Sequence, residues 1–352
     1  MDLHKLIQEL PKVELYISLE GAIAKEQLLL LAEQNEVQER MKKFDAWIKV
    51  LDNPTPQNIS EIIQVTSTWF EQPDDFSRAA YNLGVSLAKQ NVVYAEIQVN
   101  PTLYTEHGIS FEDFLNAIND GRSRAERGWN IHMRWILNIP WEYPRHADEI
   151  IRWAGDANAY DKGIVGVSLS GNETAQPVGQ FERAFRTAAK KALPRIVHVG
   201  MAAKHEAIDD VLQTLNPQRL VTAGWGVVDE PEILSALYER GIPISVSLAG
   251  SRFLGYQTDE RVFPLKQLLN DGVPVVLGSG MPAFFNSSLV DEYRMAAERY
   301  DLTAQEIKAL MLNGLNASQL TPSEKDVLLV IFERQYDELM GEDASSPDTA
   351  EA

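Results

Sequence analysis

The sequence contains no cysteine. That absence removes disulfides, thiolate metal ligands and a cysteine nucleophile together, while saying nothing about compartment. No continuous apolar run reaches membrane-spanning length, so no transmembrane helix is expected. Basic residues are in deficit, 32 Lys and Arg against 51 Asp and Glu, for a formal net charge of −19. Such a chain repels phosphate backbones and anionic lipid, and no basic patch offsets it, so neither nucleic acid nor a membrane surface is an expected partner. Also missing are a G-x-S-x-G elbow, a P-loop, and a G-x-G-x-x-G followed by an acidic residue. The opening MDLHKLIQELPKVEL lacks the basic-then-apolar layout of a secretory signal, and a cytoplasmic location is the expectation.

What is present is a regular alternation. Eight short β-rich apolar runs recur: VELYISL (13–19), VVYAEIQV (92–99), HMRWILNI (132–139), IVGVSLS (164–170), RIVHVG (195–200), RLVTAGW (219–225), PISVSL (243–248) and PVVLGS (274–279). Between them lie stretches of helical period such as FEDFLNAINDGRSRAERG and PEILSALYERG, the second closed by Gly241. Eight such alternations in 352 residues predict an α/β fold, a (β/α)8 TIM-type barrel whose site lies at the C-terminal ends of its strands. The first connection, 20–91, is long enough to carry extra helices over the barrel mouth. The barrel is expected to occupy 1–340 as a single domain, and the small, polar, acidic GEDASSPDTAEA (341–352) is expected to be a disordered tail.

Side chains alternate along a strand, so one parity of each run faces the lumen. In the first run Val13, Leu15, Ile17 and Leu19 form the apolar set, which leaves Glu14, Tyr16, Ser18 and Glu20 inside. The same test places Tyr94, Glu96 and Gln98 of the second run inside, with His132, Arg134 and Asn138 of the third. Arg252, after the seventh run, could present a basic group to an anionic ligand, although a solvated arginine is the commoner outcome. The aromatics of TSTWFEQPDDF (66–76) fit either a lid or dimer patch or, at lower cost, helix packing.

At these strand ends the chain resembles the adenosine deaminase family of the metal-dependent hydrolase superfamily, whose class is hydrolysis of C–N bonds in cyclic amidines. LPKVEL and SLEGA are similar to the family's opening strand, with its His-x-His-Leu-Asp/Glu-Gly pattern. VVYAEIQVNP resembles its second strand, with Gln98 where an arginine is usual. GVSLSGNE resembles the Gly-rich end of strand four, keeping Gly171, and VHVG the His-Ala-Gly-Glu end of strand five. RLVTAGWG and GSGMPAFFNSSLVDEY stand where the family has Gly-His-Gly and Asp-Asp-Pro.

In that family one zinc ion is held by two strand-one histidines, a strand-five histidine and a strand-eight aspartate. Carried over by resemblance, these ligands fall on Tyr16, Ser18, His198 and Gly280. The proton-shuttling glutamate falls on Met201, the water-orienting histidine on Trp225 and the second aspartate on Met281. A zinc site needs three or four fixed N, O or S donors, and one imidazole is too few, so no metal and no cofactor are expected. His198 is left as the surviving catalytic candidate. Tyr16, Met201, Trp225 and Met281 are large enough to fill the space the lost groups leave, either as a repacked mouth or as a reshaped pocket for a planar ligand. The expected pocket is Tyr16, Ser18, Glu20, Gly171, His198, Met201, Trp225, Ser279 and Met281.

The function expected from this pattern is a non-deaminating pseudoenzyme that binds a small purine-like ligand or a protein partner, with homo-oligomerisation left open. The alternatives are a metal-independent enzyme acting on a nucleoside-like molecule through His198 and its neighbours, or an engineered deaminase scaffold.

Overall fold

The computed structural model describes residues 3–201 and 205–345. Eight strands, all parallel to their neighbours, follow one another around the sheet in sequence order. They are β1 (Lys12–Ser18), β2 (Val92–Val99), β3 (His132–Pro140), β4 (Ile164–Ser170), β5 (Arg195–His198), β6 (Arg219–Val221), β7 (Ile244–Val246) and β8 (Val275–Leu277). A bridge between Ile17 and Gly280 closes the ring: the Gly280 N–H donates to the Tyr16 carbonyl at 2.6 Å, and the Ser18 N–H to the Gly280 carbonyl at 2.9 Å. This is the (β/α)8 barrel that the alternation predicts.

Strands β5, β6 and β7 are shorter than their apolar runs, because the backbone turns before each of these runs ends. β6 ends where Thr222 enters the left-handed region at φ 71°, and Ala223–Gly226 wind into a 3₁₀ turn instead of extending to Trp225. β5 stops at His198, before Gly200 at φ 96°. After β7, Ser247 caps a helix over Leu248–Phe253 by accepting from the Gly250 N–H. Helices Phe111–Gly128 and Pro231–Arg240 occupy their predicted spans, and Gly241 terminates the second at φ 60°.

Between β1 and β2 lie helices Lys25–Gln34, Val37–Arg40, Phe44–Asp52, Ile59–Ser67 and Pro73–Ala88. Trp69, Phe70 and Phe76 of this connection are buried in the main apolar core, so the helix-packing account of that aromatic stretch holds. The last helix, Pro322–Ser345, continues through 341–345, the start of the segment read as a tail; 346–352 lie outside the described residues. Among the described residues no helix is long and apolar enough to cross a membrane.

The lumen is layered. At the floor, Arg219 donates to Glu96 at 2.7 Å with both side chains buried, tying β6 to β2. Glu96 also accepts from the Gln319 N–H at 2.6 Å. Arg134 lies nearby, 3.6 Å from Glu126 of helix Phe111–Gly128, while His132 is exposed at the start of β3. Above the ion pair, Ile136, Val165, Ile196 and Val221 form an apolar plug on which Tyr16 rests.

Candidate functional site

Above that plug the strand ends open into a cavity of about 750 Å³, within the size range of small-molecule pockets. Its floor is the pair Tyr16 and His198, with ring centroids 5.3 Å apart and planes at 77°, an edge-to-face contact. Glycine makes room for the phenol. A Cβ on Gly278 would stand 2.6 Å from the Tyr16 Cβ, and one on Gly280 (φ 65°) 3.3 Å from its Cζ. Tyr16 thus occupies the space between β1 and the end of β8.

His198 is held on three sides. Its Nε2 is 2.9 Å from the Gln98 amide nitrogen, Tyr16 packs on the ring, and the Trp141 indole N–H donates to its carbonyl at 3.0 Å. Burial, with a smaller push from Arg219, lowers its pKa to about 3. The imidazole is therefore neutral at physiological pH, and because the Gln98 amide nitrogen can only donate, Nε2 accepts and Nδ1 carries the proton. Beside it, Asn138 Oδ1 accepts from the Ser168 and Ser170 hydroxyls at 3.0 and 2.7 Å.

Ser18 does not reach His198. Its hydroxyl donates to Glu20 at 3.1 Å and accepts from the Gly21 N–H at 3.1 Å. Glu20 also accepts from the Asn100 N–H at 2.9 Å. Burial raises the Glu20 pKa against the pull of these donors. Across the mouth, Gly171 at φ 114° leaves no room for a side chain, since a Cβ would sit 2.4 Å from a Glu142 carboxylate oxygen. Met201 and Met281 also line the cavity, Met201 after β5 and Met281 after β8, and Met281 lies over Gly21, where a Cβ would be 2.4 Å from the Met281 Cγ.

Two residues expected in the pocket stand elsewhere. Trp225 belongs to the 3₁₀ turn after β6 and packs edge-on against Phe263, with centroids 5.0 Å apart, outside the cavity wall. Thr222 is the β6-end residue that faces the cavity, because β6 stops early. Ser279 turns away to Glu14, donating from its hydroxyl at 2.7 Å and its N–H at 3.0 Å. The expectation that Trp225 and Ser279 line the pocket is thereby corrected, and a planar ligand there would not meet the Trp225 ring. Arg252 is exposed, 3.7 Å from Asp259, and also outside the wall. Residues that the sequence reading did not single out complete the cavity, among them Glu142, Glu173, Tyr256, and Ile59 and Ile63 of helix Ile59–Ser67.

Among the described residues no group of three or more His, Asp or Glu side chains converges as metal ligands would. The sequence profile of the adenosine deaminase family matches residues 11–332. The chain belongs to the adenosine deaminase family. Among its relatives in this family is the aminodeoxyfutalosine deaminase of Streptomyces avermitilis, 29% identical over 92% of this chain and 90% of that protein. The crystal structure of an amidohydrolase from Burkholderia ambifaria with bound zinc superposes with a TM-score of 0.88 at 24% identity, covering 97% of this chain and 95% of the other. An Arabidopsis ADAL structure in complex with IMP gives a TM-score of 0.86 at 23% identity, over 95% and 99% of the two chains. At these identities the two superpositions establish a shared fold.

Proposed function

We propose that this adenosine deaminase family member does not deaminate: it is a barrel that binds a small purine-like ligand without a zinc centre. The observation that carries the proposal is the donor set on the cavity floor. Tyr16, Ser18, His198 and Gly280 occupy the positions to which the family resemblance assigns the metal. Only His198 offers a nitrogen ligand, and its Nε2 is engaged by Gln98. The Ser18 hydroxyl is bonded to Glu20, Gly280 has no side chain, and the Tyr16 phenol fills the space beside them. Burial raises the Tyr16 pKa still further above its ordinary value, so the phenol stays neutral and is a poor ligand. These residues do not fit zinc.

The same geometry argues against a metal-independent hydrolase working through His198. A base whose pKa has been pushed down to about 3 has little proton affinity at neutral pH, and the nearby Ser18 and Ser170 hydroxyls donate to Glu20 and Asn138 instead. The cavity keeps the polar and apolar lining of a binding pocket, with the amide of Gln98, the Asn138–Ser170 pair and the side chains of Met201 and Met281 around one opening.

The test combines elemental analysis of protein purified without chelators with the absorbance change of adenosine conversion to inosine. The expected result is zinc far below one ion per chain and no turnover, together with a melting shift on adding adenosine or adenine. Near-stoichiometric zinc with turnover would overturn the proposal.

A further inference from the structure

The chemistry of the cavity wall narrows the ligand, given the purine-binding reading above. Carboxylates reach the wall from four separate strand ends: Glu20 after β1, Glu106 beyond β2, Glu142 after β3 and Glu173 after β4. Among the described residues that line the cavity there is no lysine and no arginine. Arg145 meets Glu106 from outside, at 2.9 Å, and is itself exposed.

A phosphate pocket is built mainly from free backbone N–H groups at loop and helix starts, aided by cations. Here such N–H groups are already bonded to the chain's own carboxylates. The Asn100 N–H donates to Glu20 at 2.9 Å, the Asn172 N–H to Glu142 at 2.7 Å, and the Gly200 N–H to Glu173 at 2.5 Å. The anion positions at these strand ends are filled from within. An incoming phosphate would have to displace a carboxylate or lie beside one, in the field of a chain whose formal net charge is −19. A ligand amine or hydroxyl would instead find acceptors.

We infer that the cavity selects nucleoside-type ligands without phosphate, neutral or bearing an amine, and rejects nucleoside monophosphates. The Arabidopsis ADAL structure, with IMP bound, shows that the same fold can hold a nucleotide, so the discrimination lies in this chain's own wall.

Titration calorimetry on the full chain with adenosine, 5′-amino-5′-deoxyadenosine and adenosine 5′-monophosphate, at low and high ionic strength, tests the inference. The monophosphate is expected to bind at least about tenfold more weakly than adenosine at low salt, and the amine at least as tightly as adenosine. The gap should narrow at high salt and in Glu142→Gln. Equal or tighter binding of the monophosphate would overturn the inference while leaving the purine-binding proposal intact, and so would a gap indifferent to both salt and Glu142→Gln. Binding of none of the three would overturn both.

Discussion

Glu14 and Glu292 are carboxyls sealed in the barrel, and raising the pH should ionise them at the expense of the fold. Glu14 accepts from the Tyr16 N–H at 2.8 Å and twice from Ser279; Glu292 accepts from the Ser247 and Ser287 hydroxyls and the Leu248 N–H at 2.9, 3.0 and 2.6 Å. Those donors favour the anion, but burial outweighs them and lifts each pKa from 4.5 to about 7. The native state therefore keeps protons that the unfolded chain releases. The stabilisation is complete below the unfolded value of 4.5, and it is lost as the pH rises through about 7. At about 1.4 kcal/mol per pKa unit, each group contributes roughly 3 kcal/mol across that window. With an unfolding entropy of about 0.7 kcal/mol/K for a chain this long, that is roughly 4 °C of melting temperature per carboxyl.

The neutral His198 works in the opposite direction below its ordinary value of 6.5, because the unfolded chain takes up a proton there that the native imidazole refuses. The diagnostic is therefore the difference between wild type and variants. Thermal melts from about pH 4.5 to about pH 8 should show Glu14→Gln and Glu292→Gln each flattening the profile by about 4 °C relative to wild type. Their absolute melting points should be lower, since an amide nitrogen cannot accept from the donors that face it. Profiles parallel to wild type in both variants would refute the claim that these carboxyls hold their protons in the fold.

Arg219→Ala should cost about 3–5 kcal/mol in urea unfolding, because it strands the buried Glu96 charge. Gly171→Ala, at φ 114° and with its methyl forced onto Glu142, should destabilise the fold by about 1 kcal/mol or more and weaken ligand binding in calorimetry. Nitrogen NMR of the His198 ring should report the neutral form down to about pH 4, as a pKa near 3 requires. A ring that titrates near 6.5 would show that it is less buried than described.

The barrel was legible because each strand is a short β-branched run with helical period on either side, and those signals are local. Glu96 and Gln98 could be placed in the lumen by parity alone, but their partners could not be read: Arg219 lies 123 residues from Glu96, and His198 100 from Gln98. Trp225 was misplaced because strand length was taken from hydrophobicity, whereas β6 is cut short by the left-handed Thr222. No composition signal marks a threonine as the residue that will turn the chain. Ser279 was expected in the pocket, and the structure aims it at Glu14, 265 residues away. Glu142 and Glu173 escaped notice because they follow their strands in loops, where periodicity says nothing about direction.

The Glu96–Arg219 bond fastens opposite strands beneath the plug of Ile136, Val165, Ile196 and Val221, with the open cavity on the far side. The plug thus parts the two ends of the barrel into separate packing layers, linked by the electrostatic push of Arg219 on His198. Stabilising substitutions introduced below the plug offer a reserve against which the cavity wall can be recut for new ligands, one side chain at a time.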